Sequence, residues 1–106
     1  MVRIPTDRIP THPGEMLLEE FLNPLELTQR ELAAAIHVSY QQVKALVNGR
    51  HSITPSIALR LGKYFDISPA FWMNLQLRWD LYHAIRSEAR ELEAIEPCDI
   101  KIEVKG

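Results

Sequence analysis

The stretch from Thr28 to Gly49 constrains the chain most. Thr28-Gln29-Arg30-Glu31 is a capping box: the Thr28 hydroxyl and the Glu31 carboxylate satisfy the first N–H groups of a helix reciprocally. Leu32, Ala35 and Ile36 give that helix an inward face, and Ala33, Ala34 and Ala35 make it thin and strongly helix-forming. It stops near His37. His37-Val38-Ser39 connects, and Ser39 is an N-cap for a second helix running from Tyr40 to about Asn48. Gly49 sits where a left-handed C-terminal residue belongs. Val43, Leu46 and Val47 face inward; Tyr40, Gln41, Lys44, Ala45 and Asn48 face out.

The remaining segments predict an all-α chain. Residues 1–12 carry Pro5 and Pro10 without a sustained period and read as an extended arm, with Val2-Arg3-Ile4 able to add a short strand. Pro13 opens a first helix, Glu15 suits its positive end, and Met16, Leu17, Phe21 and Leu22 share a face. Asn23-Pro24 ends it. Thr54-Pro55 starts a fourth helix with the stripe Ile57, Ala58, Leu61, Tyr64 and Phe65. Ser68-Pro69 starts a fifth that runs to Tyr82 or Ile85 and continues towards Leu92, with Pro97 closing it. Residues 99–105 alternate Ile100, Ile102 and Val104 with charged residues, which leaves room for a short C-terminal edge strand. The organisation is an arm at 1–12, a five-helix domain at 13–85 and an extension at 86–106.

At 106 residues, 46% hydrophobic and 25% charged, the chain has the composition of one globular domain. It opens on Met1 with no basic-then-apolar leader, which predicts a complete chain without a signal peptide. No apolar run reaches the roughly 18 residues of a membrane span. The lone Cys98 can make no internal disulfide, so a reducing cytoplasm is the expected location. The net charge of −2 argues against a polyanion partner, but its distribution argues for one. Residues 28–63 hold Arg30, Lys44, Arg50, Arg60 and Lys63 against Glu31, between acidic flanks.

Two short helices joined by about three residues, the second presenting amides and a cation, form the helix-turn-helix arrangement. The DNA major groove admits one helix, and a glutamine amide matches adenine at two atoms. Gln41 lies on the outward side with Tyr40 and Lys44, and Gln42 lies more to the flank. Lys44 reaches either a guanine edge or a phosphate. Gln29 offers its amide to a phosphate beside a helix N-terminus, and Asn48, Arg50 and His51 do the same at the far end.

These residues resemble a known family. Residues 12–83 look like the HigA antitoxins of the Xre (phage-repressor and Cro-like) group, with a lambda-repressor-like fold. The resemblance is carried by His12-Pro13-Gly14-Glu15, Thr28 to Ala33, Val38-Ser39, Val47 to Arg50 with Ile53-Thr54, Ala58 to Leu61, and Ser68 to Gln76. It implies a dimeric antitoxin that binds double-stranded operator DNA, represses its own operon and neutralises HigB, a RelE-like ribosome-dependent mRNA endonuclease. Gln29 matches a phosphate contact, Tyr40, Gln41 and Ala45 match base-reading positions, and Asn48 matches a backbone contact. With Ser39, Lys44 and Arg50 these are the candidate DNA-binding residues. The chain departs at His37, where the family often has glycine, and after about Arg86.

The fifth helix is too apolar for a single buried face. Trp72, Leu75, Trp79 and Tyr82 follow a three-four-three spacing suited to a helix-helix seam, and predict a homodimer interface. Catalysis has no foothold. His12, His37, His51 and His83 are scattered, Cys98 sits in an acidic tail, and Glu88, Glu91 and Glu93 read as a solvated helix end. No enzyme activity, metal or cofactor is expected. Two other readings stay open: a stand-alone regulator without a toxin, and an interaction module that no longer binds DNA.

Overall fold

The computed structural model describes residues 9–99, which are helical with no strand among them. The helices are α1 (Pro13–Leu17), α2 (Gln29–Ile36), α3 (Tyr40–Val47), α4 (Pro55–Phe65), α5 (Pro69–Ser87) and α6 (Ala89–Ala94), with a π-helical turn at Leu18–Leu22 continuing α1. The all-α reading is therefore met, with two differences in its elements. The strand expected at 99–105 and the start of the arm lie outside the described residues, apart from Asp99 itself.

The first difference is the π turn. Pro24 has no N–H for the four-residue ladder. Asn23 N–H instead reaches back to the Leu18 carbonyl at 2.9 Å, and Leu27 N–H to the Leu22 carbonyl at 2.9 Å. The widened turn carries Phe21 against Phe65, with ring centroids 4.9 Å apart, and against Trp72 at 5.0 Å. The second difference is the far end of α5. The Ser87 hydroxyl donates to the Ala84 carbonyl, competing with the backbone, and Glu88 leaves the helical region before α6 begins.

One core joins the helices. Leu17, Leu22, Leu32, Ile36, Val43, Leu46, Ile53, Ala58, Leu61 and Trp72 meet in it. Trp72 is 0% exposed within one chain. Its side chain is enclosed by its own chain's core, and of the four expected seam residues it is the one with no surface. Tyr82 is also buried, and Leu75 packs on the core. Trp79 lies edge-on to His12 with ring centroids 4.9 Å apart. The apolar side chains that α5 leaves outside are Phe71, Leu77, Leu81 and Ile85, the last three at 47%, 37% and 40% exposure.

Backbone conformation agrees with sequence where the signal is local. His37 ends α2 in the left-handed region at φ 61°, a conformation an L-residue adopts at a cost. Gly49 follows α3 at φ 75°. Glu26 and Asp66 are also left-handed, at φ 53° and 55°, and each stands, like His37, two residues before the N-cap of the next helix, Thr28 and Ser68.

Candidate nucleic-acid interface

The interface is built on two capping boxes. Glu31 N–H donates to the Thr28 hydroxyl at 3.0 Å, and Thr28 N–H donates to the Glu31 carboxylate at 2.9 Å. Those bonds hold the Glu31 carboxyl below the usual carboxylate range. The second box starts α3. Gln42 N–H donates to the Ser39 hydroxyl at 3.1 Å, and Ser39 N–H donates to the Gln42 amide oxygen at 3.2 Å. Sequence reading left Gln42 on the flank. The structure turns its amide oxygen back onto the helix start, so of the two exposed glutamines Gln41 is the one not engaged in the cap. Ser39 is exposed but already engaged as the cap.

Tyr40 is half-buried, and Arg30 lies over its ring with the guanidinium carbon 4.0 Å from the centroid. The Lys44 ammonium lies 6.0 Å from the same centroid. Arg30 therefore joins α2 to α3 at the outward face, a role its place inside a capping box concealed. Gln41, Lys44, Asn48 and Arg50 are exposed, and Ala45 is half-buried. Asn48 caps α3, and Arg50 N–H donates to the Ala45 carbonyl at 2.8 Å, which fixes the loop that carries both. Gln29 heads α2 half-buried, with its Oε1 buried and unpartnered. These side chains belong to α3, its two ends and the start of α2.

The basic block divides. Arg60 does not serve this face: it donates to the carbonyls of Ile36 at 2.8 Å and His37 at 3.3 Å, closing the C-terminus of α2. Lys63 stands next to it along a groove between α2 and α4.

Three residues hold α3 in place, and sequence reasoning gave none of them this task. His12 Nδ1 accepts the Gly14 N–H at 2.9 Å, capping α1, and its ring lies beside Gly49. A Cβ on Gly14 would stand 1.8 Å from the Leu46 carbonyl oxygen, so α1 approaches α3 more closely than any side chain allows. Gln76 bonds the backbone at Ile53, between α3 and α4. Among the described residues no group of three or more His, Cys, Asp or Glu could hold a metal ion, and no helix is long and apolar enough to cross a membrane.

Capped short helices, a left-handed turn and an outward face of amides and cations define a helix-turn-helix protein. The helix-turn-helix family model matches residues 18–72, and the chain belongs to the HigA-type branch of that Xre-like family. It is 34% identical over 98 residues to antitoxin HigA-1 of Vibrio cholerae, covering 92% of each. It is 47% identical over 75 residues to YbaQ of Escherichia coli, an uncharacterized HTH-type transcriptional regulator, covering 71% of this chain but only 66% of that one. The structure of the Pseudomonas aeruginosa antitoxin HigA with its higBA promoter is 40% identical, with a TM-score of 0.80 over 83% of this chain and 97% of that one. These relatives are named as regulators and antitoxins, not enzymes.

Proposed function

We propose that this protein is a cytoplasmic, homodimeric repressor and antitoxin that binds operator DNA in the promoter of its own operon. One observation carries the reading: Gln42 is folded into the cap of α3, while Gln41 and Lys44 stand outward beside an Arg30-braced Tyr40. Gln41 reads a base edge, with Tyr40 and the Ala45 methyl beside it, and Lys44 contacts a guanine edge or a phosphate. Gln29, Ser39, Asn48 and Arg50 fix the register on the backbone. Likeness to an antitoxin whose structure includes its promoter supports this assignment.

The dimer forms through Leu77, Leu81 and Ile85, which lie four residues apart on the open side of α5. A two-fold contact there matches a palindromic operator. Footprinting on DNA from upstream of the gene tests the arrangement. Two protected half-sites about one helical turn or a multiple of it apart are expected; a single protected half-site contradicts it.

The second half of the function is neutralisation of a RelE-like mRNA endonuclease, supported by likeness to HigA antitoxins. The test is a translation extract: the product of a small basic reading frame beside the gene should cleave mRNA there, and an equimolar amount of this chain should stop it. Likeness to YbaQ, named as a regulator, favours a second reading in which the chain represses without a toxin. An adjacent product that leaves mRNA intact supports that reading.

A further inference from the structure

The groove between α2 and α4 has a volume of about 620 Å³. Ala35, Leu59 and Tyr64 give it an apolar floor, and Arg60 and Lys63 give it a basic rim. Leu59 and Tyr64 are exposed, at 61% and 44%. A matching surface exists on the same chain. From Glu88 to Asp99 there are five acidic residues and one basic one, and Leu92 and Ile95 stand exposed among them. None of α6 is buried. A six-residue helix is far below the length that holds in water without tertiary packing.

We infer that the α6 segment of one copy docks into the α2–α4 groove of the other, with Leu92 and Ile95 on the apolar floor and the glutamates against Arg60 and Lys63. The inference rests on the dimer proposed above. When α5 pairs antiparallel through Leu77, Leu81 and Ile85, Leu81 meets its own equivalent and Leu77 meets the partner's Ile85. The end of one α5 then runs along the start of the other, past the exposed Phe71 to the corner where α4 ends at Tyr64 and Phe65. A rise of about 1.5 Å per residue carries α6 to that corner. The basic rim selects an acidic segment, and the tail supplies one. A groove occupied in this way ties the C-terminal extension to Arg60, which closes α2, the helix whose first residue is Gln29.

The exposed thiol of Cys98 makes the test direct. Ala35→Cys places a second thiol on the groove floor, and mild oxidation of the full chain is read on a non-reducing gel. The expected result is a covalent dimer as the main product, absent in the wild type and in Ala35→Cys with Cys98→Ser. Adding Lys63→Glu should lower the yield several-fold, as should high salt. A link within one chain overturns the inference, because the tail then folds onto its own domain. Absence of any Ala35→Cys link overturns it as well. Light scattering under reducing conditions separates the two failures. A dimer that does not cross-link removes the tail docking and leaves the α5 interface standing; a monomer removes both.

Discussion

Gln76, in the middle of α5, accepts the backbone N–H of Ile53 at 2.7 Å and donates its own amide to Asp80 at 2.9 Å. Ile53 and Gln76 are both buried. The bond pins the loop after α3 to the longest helix. Gln76→Leu keeps the volume but orphans the Ile53 N–H. A buried donor left unpaired costs about 1–3 kcal/mol. Thermal unfolding should shift down by several degrees per kcal/mol in a domain of this size, while Asp80→Asn, which keeps an acceptor, should shift it less.

Gly14→Ala should destabilise the fold through a different cause. The added methyl meets the Leu46 carbonyl, which is backbone and cannot rotate away. Overpacking of this kind costs about 1–3 kcal/mol. Denaturant unfolding should show a lower midpoint with an unchanged slope.

His12 makes stability depend on pH. Burial lowers its pKa below 6.5, against opposing pulls from Asp80 and Glu15. Its Nδ1 must be unprotonated to accept from Gly14. The unfolded chain therefore binds this proton more readily than the folded one. Its contribution is present in full above pH 6.5 and is lost as pH falls from there through the lower folded value. His12→Asn, which keeps a cap acceptor, should flatten that part of the stability profile measured between neutral and mildly acidic pH.

The two adjacent glutamines should separate by readout. Gln41→Ala should cost about 1–3 kcal/mol at one base pair and leave folding unchanged. Gln42→Ala removes half of a capping box and should lower stability by roughly 0.3–1.5 kcal/mol, with base preference intact. Binding to a panel of singly altered DNA sites, beside a melting curve, distinguishes them.

Leu81→Glu should give a folded monomer by light scattering, because the side chain lies on the open side of α5. Trp72→Ala should instead lose about 3–5 kcal/mol of fold stability.

What was legible in the residues was local. A hydroxyl followed three positions later by Glu31 fixed the start of α2, and Ser39 with Gly49 bracketed α3. The second capping box is not legible from Gln42, which the helical spacing places only on the flank, and a glutamine at that position serves either as cap partner or as an outward amide. His37 is legible as left-handed only through the resemblance, which puts glycine there; Glu26 and Asp66 share its place two residues before an N-cap, at Thr28 and Ser68, and carry no such marker. The tasks of His12, Gly14 and Gln76 were invisible, since each depends on a partner from another helix. Which side of α5 stays open is not legible, for a physical reason. A helix apolar on most sides does not declare which side meets the core, and α5 buries Trp72, Gln76 and Tyr82 while exposing Leu77 and Leu81.

The central claim is that the α3 face reads DNA. Its most direct test is fluorescence anisotropy of the full chain on labelled DNA from upstream of its own gene, against scrambled DNA, across a range of salt concentrations. The account predicts tight binding to the upstream sequence, weakening steeply with salt, and selectivity that Gln41→Ala relaxes at one position. Equal affinity for both DNAs at every salt concentration would contradict it.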